Sequence, residues 1–289
     1  MKDSRHLGPL AMALAAVALL SDCGGGGGGY GGGSSGGGMT TYTVGGRVDG
    51  LDASTSVLLK NASNSDTVTV SANGGFAFPT ALAYLASYNV QVTTSPAGRT
   101  CTVINGSGTV PTANVSNVTV ACTSDTNAPA VGDLVITEVM ADPVGTDTSK
   151  EWFEVLNVTG GAFDIGGLVV SSGSGLFVIP AGTSITPGAF FVFASSADST
   201  ANGGLPTVNV NYGSALQLAN TGFNMSITAA ATLVDAVNLG TMPPDVSLAL
   251  KQSMLDATAN DSLTNWCNST TTYGAGGKGT PGATNSDCP

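Results

Sequence analysis

Carboxylates are the side chains of this sequence whose types and spacing could support chemistry. All three glutamates and two of the aspartates fall within one stretch: Glu138, Asp142, Asp147, Glu151 and Glu154. Calcium binds several carboxylate and carbonyl oxygens, so Glu138, Asp142, Asp147 and Glu154 are candidate calcium ligands. The sequence has no D-x-D-x-D-G pattern, and a solvated loop with strand-edge carboxylates explains the same residues. Both interpretations stay open, and no cofactor other than calcium is predicted.

The same carboxylates could act as general acid and base on a glycosidic bond. Glu151 and Glu154 lie on one predicted strand, an odd number of positions apart, and therefore face opposite sides. They cannot flank one bond at the required separation of about 5–10 Å, whereas Glu138 with Glu154 stays geometrically open. The sole histidine, His6, precedes the cleavage site predicted below, which excludes histidine-dependent triads from the mature chain. We predict that the protein is not an enzyme.

The five cysteines separate into a single residue and two pairs. Cys23 stands alone between an apolar run and a glycine tract. The pairs are Cys101 with Cys122 and Cys267 with Cys288, and we predict one disulfide for each pair. Side chains two positions apart share a face of a strand, so the first pair points toward a core together with neighbouring valines. Disulfides are typical of exported proteins.

The N-terminus has the pattern of a secretory signal. The uncharged run Leu10–Leu20 follows two basic residues and is shorter than the roughly 20 residues of a membrane span. The residues L-S-D-C that end at Cys23 resemble the lipobox of bacterial lipoprotein signals, although that family has a small residue where Asp22 stands. The resemblance implies that residues 1–22 are a signal peptide and that Cys23 is acylated as a membrane anchor. Ordinary cleavage nearby is the alternative.

The charge balance limits the partners of the protein. The formal net charge is −11, which disfavours nucleic acid because that binding depends on Lys and Arg at phosphates. We predict no nucleic-acid partner, a membrane contact through the lipid anchor, and an unidentified protein or glycan partner. Aromatic side chains that could stack on glycans are Tyr84, Tyr212, Tyr273 and Trp266. The expected location is the cell envelope, at the outer membrane or the cell surface.

A glycine-rich flexible linker over residues 23–39 leads to a first predicted β domain, residues 40–124. Short alternating runs predict strands over 41–48, 56–60, 66–71, 75–78, 87–93, 100–104 and 115–123. Asn73-Gly74 predicts a hairpin between the third and fourth of them. The runs YTVGGRVDGL, VTVSANGGFAF and VSNVTVACT resemble a repeat of bacterial surface lipoproteins. That resemblance implies an immunoglobulin-like sandwich without catalytic residues, often used as a stalk.

A hinge over residues 125–131 leads to a second predicted domain, residues 132–289. Its runs ITEVMADP, EWFEVLN, LANTGFNMSI and VDAV, followed by NWC and KGTPGATNSDC, resemble the lamin tail domain family in content and order. The resemblance implies an immunoglobulin-like β-sandwich, here with a C-terminal extension pinned by the second disulfide. The run Phe190–Ala194 is apolar on both sides and is predicted to cross the middle of the sandwich. Trp266 is expected to fill core space beside Cys267.

The predicted fold class is all-β, with two immunoglobulin-like β-sandwich domains in tandem after a signal peptide and a glycine-rich linker. The predicted function is that of a non-catalytic, lipid-anchored cell-surface protein with a structural, adhesive or scaffolding role through its lamin tail domain. The alternatives are a calcium- or carbohydrate-dependent binding module and an unrecognised hydrolase accessory.

Overall fold

Ten strands build the first sandwich of the computed structural model, which describes residues 39–286 and Cys288. Their bounds are β1 Thr41–Tyr42, β2 Val44–Asp49, β3 Val57–Asn61, β4 Asp66–Val70, β5 Gly74–Ala77, β6 Leu82–Ala83, β7 Ser87–Thr94, β8 Arg99–Ile104, β9 Ser107–Thr109 and β10 Val115–Ser124. Each predicted run contains a strand, but the predicted strand 41–48 divides into β1 and β2, which belong to different sheets. The sequence does not predict β6 and β9, because two or three residues are too few to show alternation. The predicted signal peptide, Cys23 and the linker as far as residue 38 lie outside the described residues.

Two four-stranded sheets form the layers of this sandwich. One has the strand order β5-β2-β10-β8 and the other has the order β4-β3-β7-β9, while β1 pairs with β6. β10 runs parallel to β2 and antiparallel to β8. The core contains side chains from both sheets and is rich in valine, as at Val48, Val57, Val90 and Val120. Valine suits this position because its branched side chain packs well on a pleated, buried surface.

The first disulfide lies inside this core. Cys101 on β8 and Cys122 on β10 are directly opposite each other in the antiparallel ladder, with Cα atoms 4.0 Å apart, and their sulfurs are bonded. Both cysteines belong to the buried cluster, which is the inward orientation that the alternation predicts. A bridge over a sequence separation of 21 stabilises a fold by roughly 3 kcal/mol by restricting the unfolded chain.

The predicted hairpin at Asn73-Gly74 is wrong. The strands on either side, β4 and β5, belong to different sheets, so the chain crosses here from one layer to the other. The Asn73 amide supports the crossing: its Oδ1 accepts a hydrogen bond from the Leu51 N–H at 2.7 Å, and its Nδ2 donates to the Leu51 carbonyl at 2.9 Å. Asn-Gly favours a turn, but core packing decides which sheet receives the next strand.

Fourteen further strands and two short helices build the second sandwich. The strands are β11 Leu134–Met140, β12 Trp152–Asn157, β13 Phe163–Asp164, β14 Val169–Ser172, β15 Gly175–Val178, β16 Ser184–Ile185, β17 Phe190–Ala194, β18 Val210–Asn211, β19 Phe223–Ala229, β20 Thr232–Gly240, β21 Leu248–Leu250, β22 Trp266–Asn268, β23 Thr272–Tyr273 and β24 Gly277–Lys278. The helices are the 3-10 segments Gln252–Met254 and Leu263–Asn265. Across residues 39–286, no helix has the length and apolar character needed to cross a membrane.

The layers of the second sandwich are a six-stranded sheet of order β18-β17-β12-β11-β21-β22 and a four-stranded sheet of order β15-β14-β19-β20. The core contains apolar side chains of both sheets, such as Val139 and Phe153 from the first and Val170 and Ile227 from the second. Trp266 is also in this core, next in sequence to Cys267, as predicted. With both sandwiches present, the predicted all-β class is confirmed.

Strand β17 is apolar on both sides, as predicted, but it does not cross the middle of its sheet. It lies second from the edge, between β12 and the two-residue strand β18. Phe191 and Phe193 face the sandwich core, whereas Val192 and Ala194 belong to a separate buried cluster with Trp152. The second apolar face therefore reflects a covering on the outer side of the six-stranded sheet rather than a central position.

That covering is the C-terminal strap, defined here as residues 277–286 with Cys288. The side-chain amide of Asn285, in the strap, donates to the carbonyls of Thr137 at 2.9 Å and Leu250 at 3.0 Å. A disulfide joins Cys288 to Cys267 on β22, with Cα atoms 5.9 Å apart. The strap has little apolar content of its own, so these polar contacts and the disulfide hold it on the sheet.

The two sandwiches pack against each other within one compact unit. Ala121 of β10 packs with Val169 of β14 and Val178 of β15. The guanidinium of Arg99 on β8 bonds both Asp52, at 2.7 and 2.8 Å, and Asp164 of the second sandwich, at 3.0 Å. The hydrogen bonds between Arg99 and Asp52 raise the pKa of the arginine and lower the pKa of the aspartate, whereas burial opposes both shifts.

Gly167 permits the closest approach between the sandwiches. A Cβ atom at this position would lie 2.0 Å from the carbonyl oxygen of Cys122 on β10, and the φ angle of Gly167 is +86°. Both the space and the backbone angle therefore require glycine. The predicted hinge, residues 125–131, lies in the passage from β10 to β11 beside this contact.

Candidate functional site

Glu138 and Glu154 are brought together by an irregularity in the β11–β12 ladder. Ile136 is paired with Val155 and Glu138 with Glu154, so two steps along β11 match one step along β12. This bulge at Thr137 turns Glu138 away from the core side and onto the outer face, since one extra residue reverses the side-chain alternation. The two glutamates are direct cross-strand neighbours, and both are completely buried.

Three residues that are distant in sequence satisfy the Glu138 carboxylate. The hydroxyls of Ser247 and Ser269 donate to Oε1, the latter at 3.1 Å. Thr280 in the strap donates its N–H to Oε1 at 2.9 Å and its hydroxyl to Oε2 at 2.9 Å. Burial raises the pKa of Glu138, and these donors oppose the increase.

The Glu154 carboxylate has a similar but smaller set of partners. The hydroxyl of Thr137 donates to Oε1 at 2.8 Å, and the N–H of Gly282 in the strap donates to Oε2 at 2.7 Å. Burial raises the pKa of Glu154 to about 8, and the neighbouring charge of Glu138 raises it further in the same direction. The pair thus anchors the strap and is sealed beneath it, away from any substrate.

Gly279 lets the strap lie this close to the carboxylates. A Cβ atom there would lie 2.9 Å from the Trp152 ring and 3.0 Å from Glu138 Oε1. The Trp152 indole in turn donates to the Tyr273 hydroxyl at 2.8 Å. The run K-G-T-P-G at residues 278–282 therefore supplies the glycines and the threonine that this site needs.

The four candidate calcium ligands do not form one cluster. Glu138 and Glu154 are sealed beneath the strap, whereas Asp147 accepts a hydrogen bond from the Asn220 amide at 3.2 Å in a separate groove. Within residues 39–286, no group of three or more acidic, histidine or cysteine side chains is placed to hold a metal ion. The grouping predicted from sequence proximity is wrong because the strand pairing separates these carboxylates.

An open groove of about 1110 Å³ lies in the second sandwich, and we call it the acidic groove. Its walls are the β14–β15 turn, the loop before β12 and the segment after β18. Its lining residues are Asp147, Thr148, Ser149, Glu151, Ser172, Gly173, Ser174, Gly175, Ser195, Gly213, Ser214, Ala215, Leu216, Gln217, Leu218, Ala219 and Asn220. Most of the lining is small or polar, and its charged members are both acids.

Glu151 is a half-buried carboxylate in the wall of the acidic groove. Its Oε2 accepts a hydrogen bond from the Leu218 N–H at 3.2 Å, and its backbone carbonyl accepts from the Ser195 N–H at 2.9 Å and the Tyr212 hydroxyl at 3.1 Å. Burial raises the pKa of Glu151 to about 7, and the charge of Asp147 adds to the increase. These hydrogen bonds to the backbone and side chain of Glu151 fix the position of its carboxylate.

The aromatic residues proposed for glycan stacking are mostly unable to offer a ring to solvent. Tyr212 and Trp266 are buried, and Tyr273 is half-buried against Trp152. Tyr84 is 50% exposed but lies in the first sandwich, outside the lining of the acidic groove. The structure thus gives no stacking platform in that groove.

Comparison with known proteins supports the sequence resemblance of the second sandwich. Residues 127–253 match the family model of the Lamin Tail Domain. The segment is thus similar to the lamin tail domain family. Glu138, Glu154 and the acidic groove all lie within the matched segment, whereas the strap follows it in sequence. No curated protein matches the chain.

A similar solved structure is the crystal structure of a DUF4876 family protein from Bacteroides thetaiotaomicron VPI-5482. It is 11% identical in sequence, the match covers 80% of this chain and 92% of that chain, and the TM-score is 0.31. A likeness at this score supports no conclusion about fold or function.

Proposed function

We propose that this is a lipid-anchored protein of the cell envelope, with a non-catalytic structural, adhesive or scaffolding role through its lamin tail domain. The observation that carries the proposal is the sealing of Glu138 and Glu154. These carboxylates are direct cross-strand neighbours, yet both are fully buried and hydrogen-bonded to the strap. They stabilise the fold, and the exposed surface is then the part of the domain that is free to bind a partner.

Anchoring is supported by the N-terminal sequence and by the disulfides. Disulfides form and persist in oxidising compartments, so the bridges at Cys101–Cys122 and Cys267–Cys288 are compatible with export.

Expression of the full chain in a bacterium that processes lipoproteins tests the anchor. We expect the wild-type protein in the membrane fraction, accessible to protease on intact cells, with an intact mass of the chain from Cys23 plus acyl groups. Cys23→Ser should move it to the soluble fraction, whereas Ser35→Ala in the linker should not. An unacylated mature N-terminus in the wild type would refute the anchor.

The non-catalytic role is tested with panels of glycoside, ester and phosphodiester substrates. The account predicts no turnover by the purified full chain. Turnover that disappears in Glu138→Gln or Glu154→Gln, in variants that keep the wild-type melting temperature, would show that the sealed pair is an active site after all.

A further inference from the structure

We propose that the acidic groove binds an extended, basic peptide segment of a partner protein. This inference names the partner class for the surface role proposed above and rests on that role. It depends on the groove's size, on the sign of its charges, and on the chemistry of its neutral lining.

The size of the groove favours a polymer over a small molecule. Small-molecule sites usually have volumes of about 300–1000 Å³ and bury most of the ligand's surface. The acidic groove has about 1110 Å³ and is open to solvent. Burial alternates along one wall, with Leu216 and Leu218 buried and Ala215, Gln217 and Ala219 exposed, as in an extended strand. A peptide in a similarly extended conformation would run alongside it.

The charges of the lining select a cationic ligand. Asp147 and Glu151 are the charged residues among the lining side chains, and no lysine, arginine or histidine is among them. The nearby Lys150 is not part of the lining, and its Nζ donates to the Val144 carbonyl at 2.7 Å. The pKa of Glu151 is about 7, so its carboxylate is charged above that pH. It then attracts a cation more strongly than an exposed carboxylate does, since the effective dielectric constant is lower at a half-buried site.

The two carboxylates are also held in place before any ligand arrives. Asp147 accepts from the Asn220 amide, and Glu151 accepts from the Leu218 N–H. A preorganised site loses less conformational entropy when it binds. Guanidinium is the cation that best matches carboxylates, because its planar donors bind them in a fixed geometry.

The neutral lining suits a peptide backbone better than a sugar ring. Ser174, Ser214 and Gln217 are groove residues that can donate to or accept from peptide groups. The lining contains no aromatic residue, and the nearby Tyr212 is only 3% exposed. Stacking on an aromatic ring, which would favour a glycan, is therefore not available in this groove.

Fluorescence anisotropy with the full-length chain in detergent tests the proposal. The probe is a labelled peptide GSRGSRGS, and its control is the same peptide with citrulline in place of arginine, which keeps the shape and removes the charge. We expect saturable binding of the arginine peptide, at least tenfold tighter than that of the citrulline peptide, and weaker binding as salt rises from 50 to 500 mM.

Substitutions that remove single negative charges show where the arginine peptide binds. Asp147→Asn and Glu151→Gln should each weaken binding of the arginine peptide several-fold, whereas Asp261→Asn removes one exposed carboxylate on another surface and should leave it unchanged. Melting temperatures identify any variant that has lost its fold, and the two groove variants provide independent tests. Equal affinity for the citrulline peptide, or unchanged affinity in both groove variants, would overturn the proposal.

The same experiments distinguish the peptide from other ligands, and they test the groove proposal separately from the lipid anchor. Binding of a neutral oligosaccharide or of Ca²⁺ in the groove, without binding of the arginine peptide, would replace the peptide by that ligand class and overturn the proposal. Acylation of Cys23 is measured by mass and does not depend on the groove. A lipidated protein that fails to bind the peptide would refute the groove proposal alone, and a peptide-binding protein without acylation would refute the anchor alone.

Discussion

Glu138 and Glu154 stand directly opposite each other in the β11–β12 ladder, both completely buried beneath the C-terminal strap. Like charges in this relationship destabilise a sheet, and none of the ion pairs among the described residues involves either glutamate. Burial and mutual repulsion therefore favour the protonated form. The second sandwich tolerates the pair because the strap supplies donors and because the raised pKa of Glu154 keeps a proton on that carboxyl group at neutral pH.

We predict that stability falls as pH rises. The pKa of Glu154 is raised from 4.5 to about 8, so its stabilising contribution is complete below about pH 4.5 and is lost as pH rises through about 8. The expected loss is on the order of a few kcal/mol, measured by urea unfolding at pH 5 to 9. Glu154→Gln should reduce the dependence, whereas Glu151 and Asp235, whose pKa values burial raises to about 7, should maintain the rest of it. A wild-type stability that is constant or rises over this range would contradict the account.

Removing the Glu138 carboxylate should loosen the strap. Glu138→Ala removes the acceptor of the Thr280 N–H and of the Ser269 hydroxyl, whereas the Thr280 hydroxyl can still donate to Asn285 Oδ1 at 3.0 Å and the Ser247 hydroxyl to Ser269 at 2.9 Å. Unsatisfied buried donors cost about 1–3 kcal/mol each. We expect a loss of about 2–5 kcal/mol in the free energy of unfolding and faster hydrogen exchange at the Thr280 amide. Asp261→Ala, at an exposed site, should change stability by less than about 0.5 kcal/mol. A Glu138→Ala variant as stable as the wild type would show that these bonds contribute nothing.

Loss of the second disulfide should free the strap locally. Replacing Cys267 and Cys288 together by serine should cost about 3 kcal/mol and should let trypsin cleave after Lys278 under native conditions, as detected by mass spectrometry. The control is replacement of Cys101 and Cys122, which carries a similar cost but should leave Lys278 protected. Equal cleavage after Lys278 in both double variants would mean that the disulfide has no local role.

The contact at Gly167 should decide whether the sandwiches stay packed together. Gly167→Ala would place a Cβ atom 2.0 Å from the Cys122 carbonyl oxygen, whereas a Cβ atom at Gly173, which also has a positive φ, would meet nothing within 4 Å. Both substitutions carry a backbone cost, but only Gly167→Ala should separate the sandwiches. Small-angle X-ray scattering should show a larger radius of gyration for that variant alone, and identical profiles would argue against the contact.

Alternation and cysteine pairing predict most of the fold because strands with one buried face show their period directly. The site at Glu138 and Glu154 cannot be predicted from alternation or cysteine pairing. The bulge at Thr137 reverses the side on which Glu138 lies, and alternation carries no sign of it. The partners of Glu138 are 109 to 142 positions away in sequence, so only the sheet order and the path of the strap bring them to it.

The sequence pattern does not predict the acidic groove either. Its lining comes from separate turns and an extended segment, with small polar residues that form no motif. Proximity in sequence groups Asp147 with Glu138, Asp142 and Glu154 as candidate calcium ligands and gives Glu151 no part in that site. In the structure, Asp147 and Glu151 line the groove, whereas Glu138 and Glu154 lie beneath the strap on the outer face of the six-stranded sheet.

The most direct test is titration of the glutamate side chains by ¹³C NMR. The sequence contains three glutamates, Glu138, Glu151 and Glu154, so selective labelling of the carboxyl carbons yields three signals, which Glu151→Gln and Glu154→Gln assign. The account predicts that Glu151 titrates near pH 7, that Glu154 titrates near pH 8, and that Glu138 titrates above its ordinary value. Three signals that all titrate near 4.5 would show solvent-accessible carboxylates and would contradict the sealed, strap-anchoring pair.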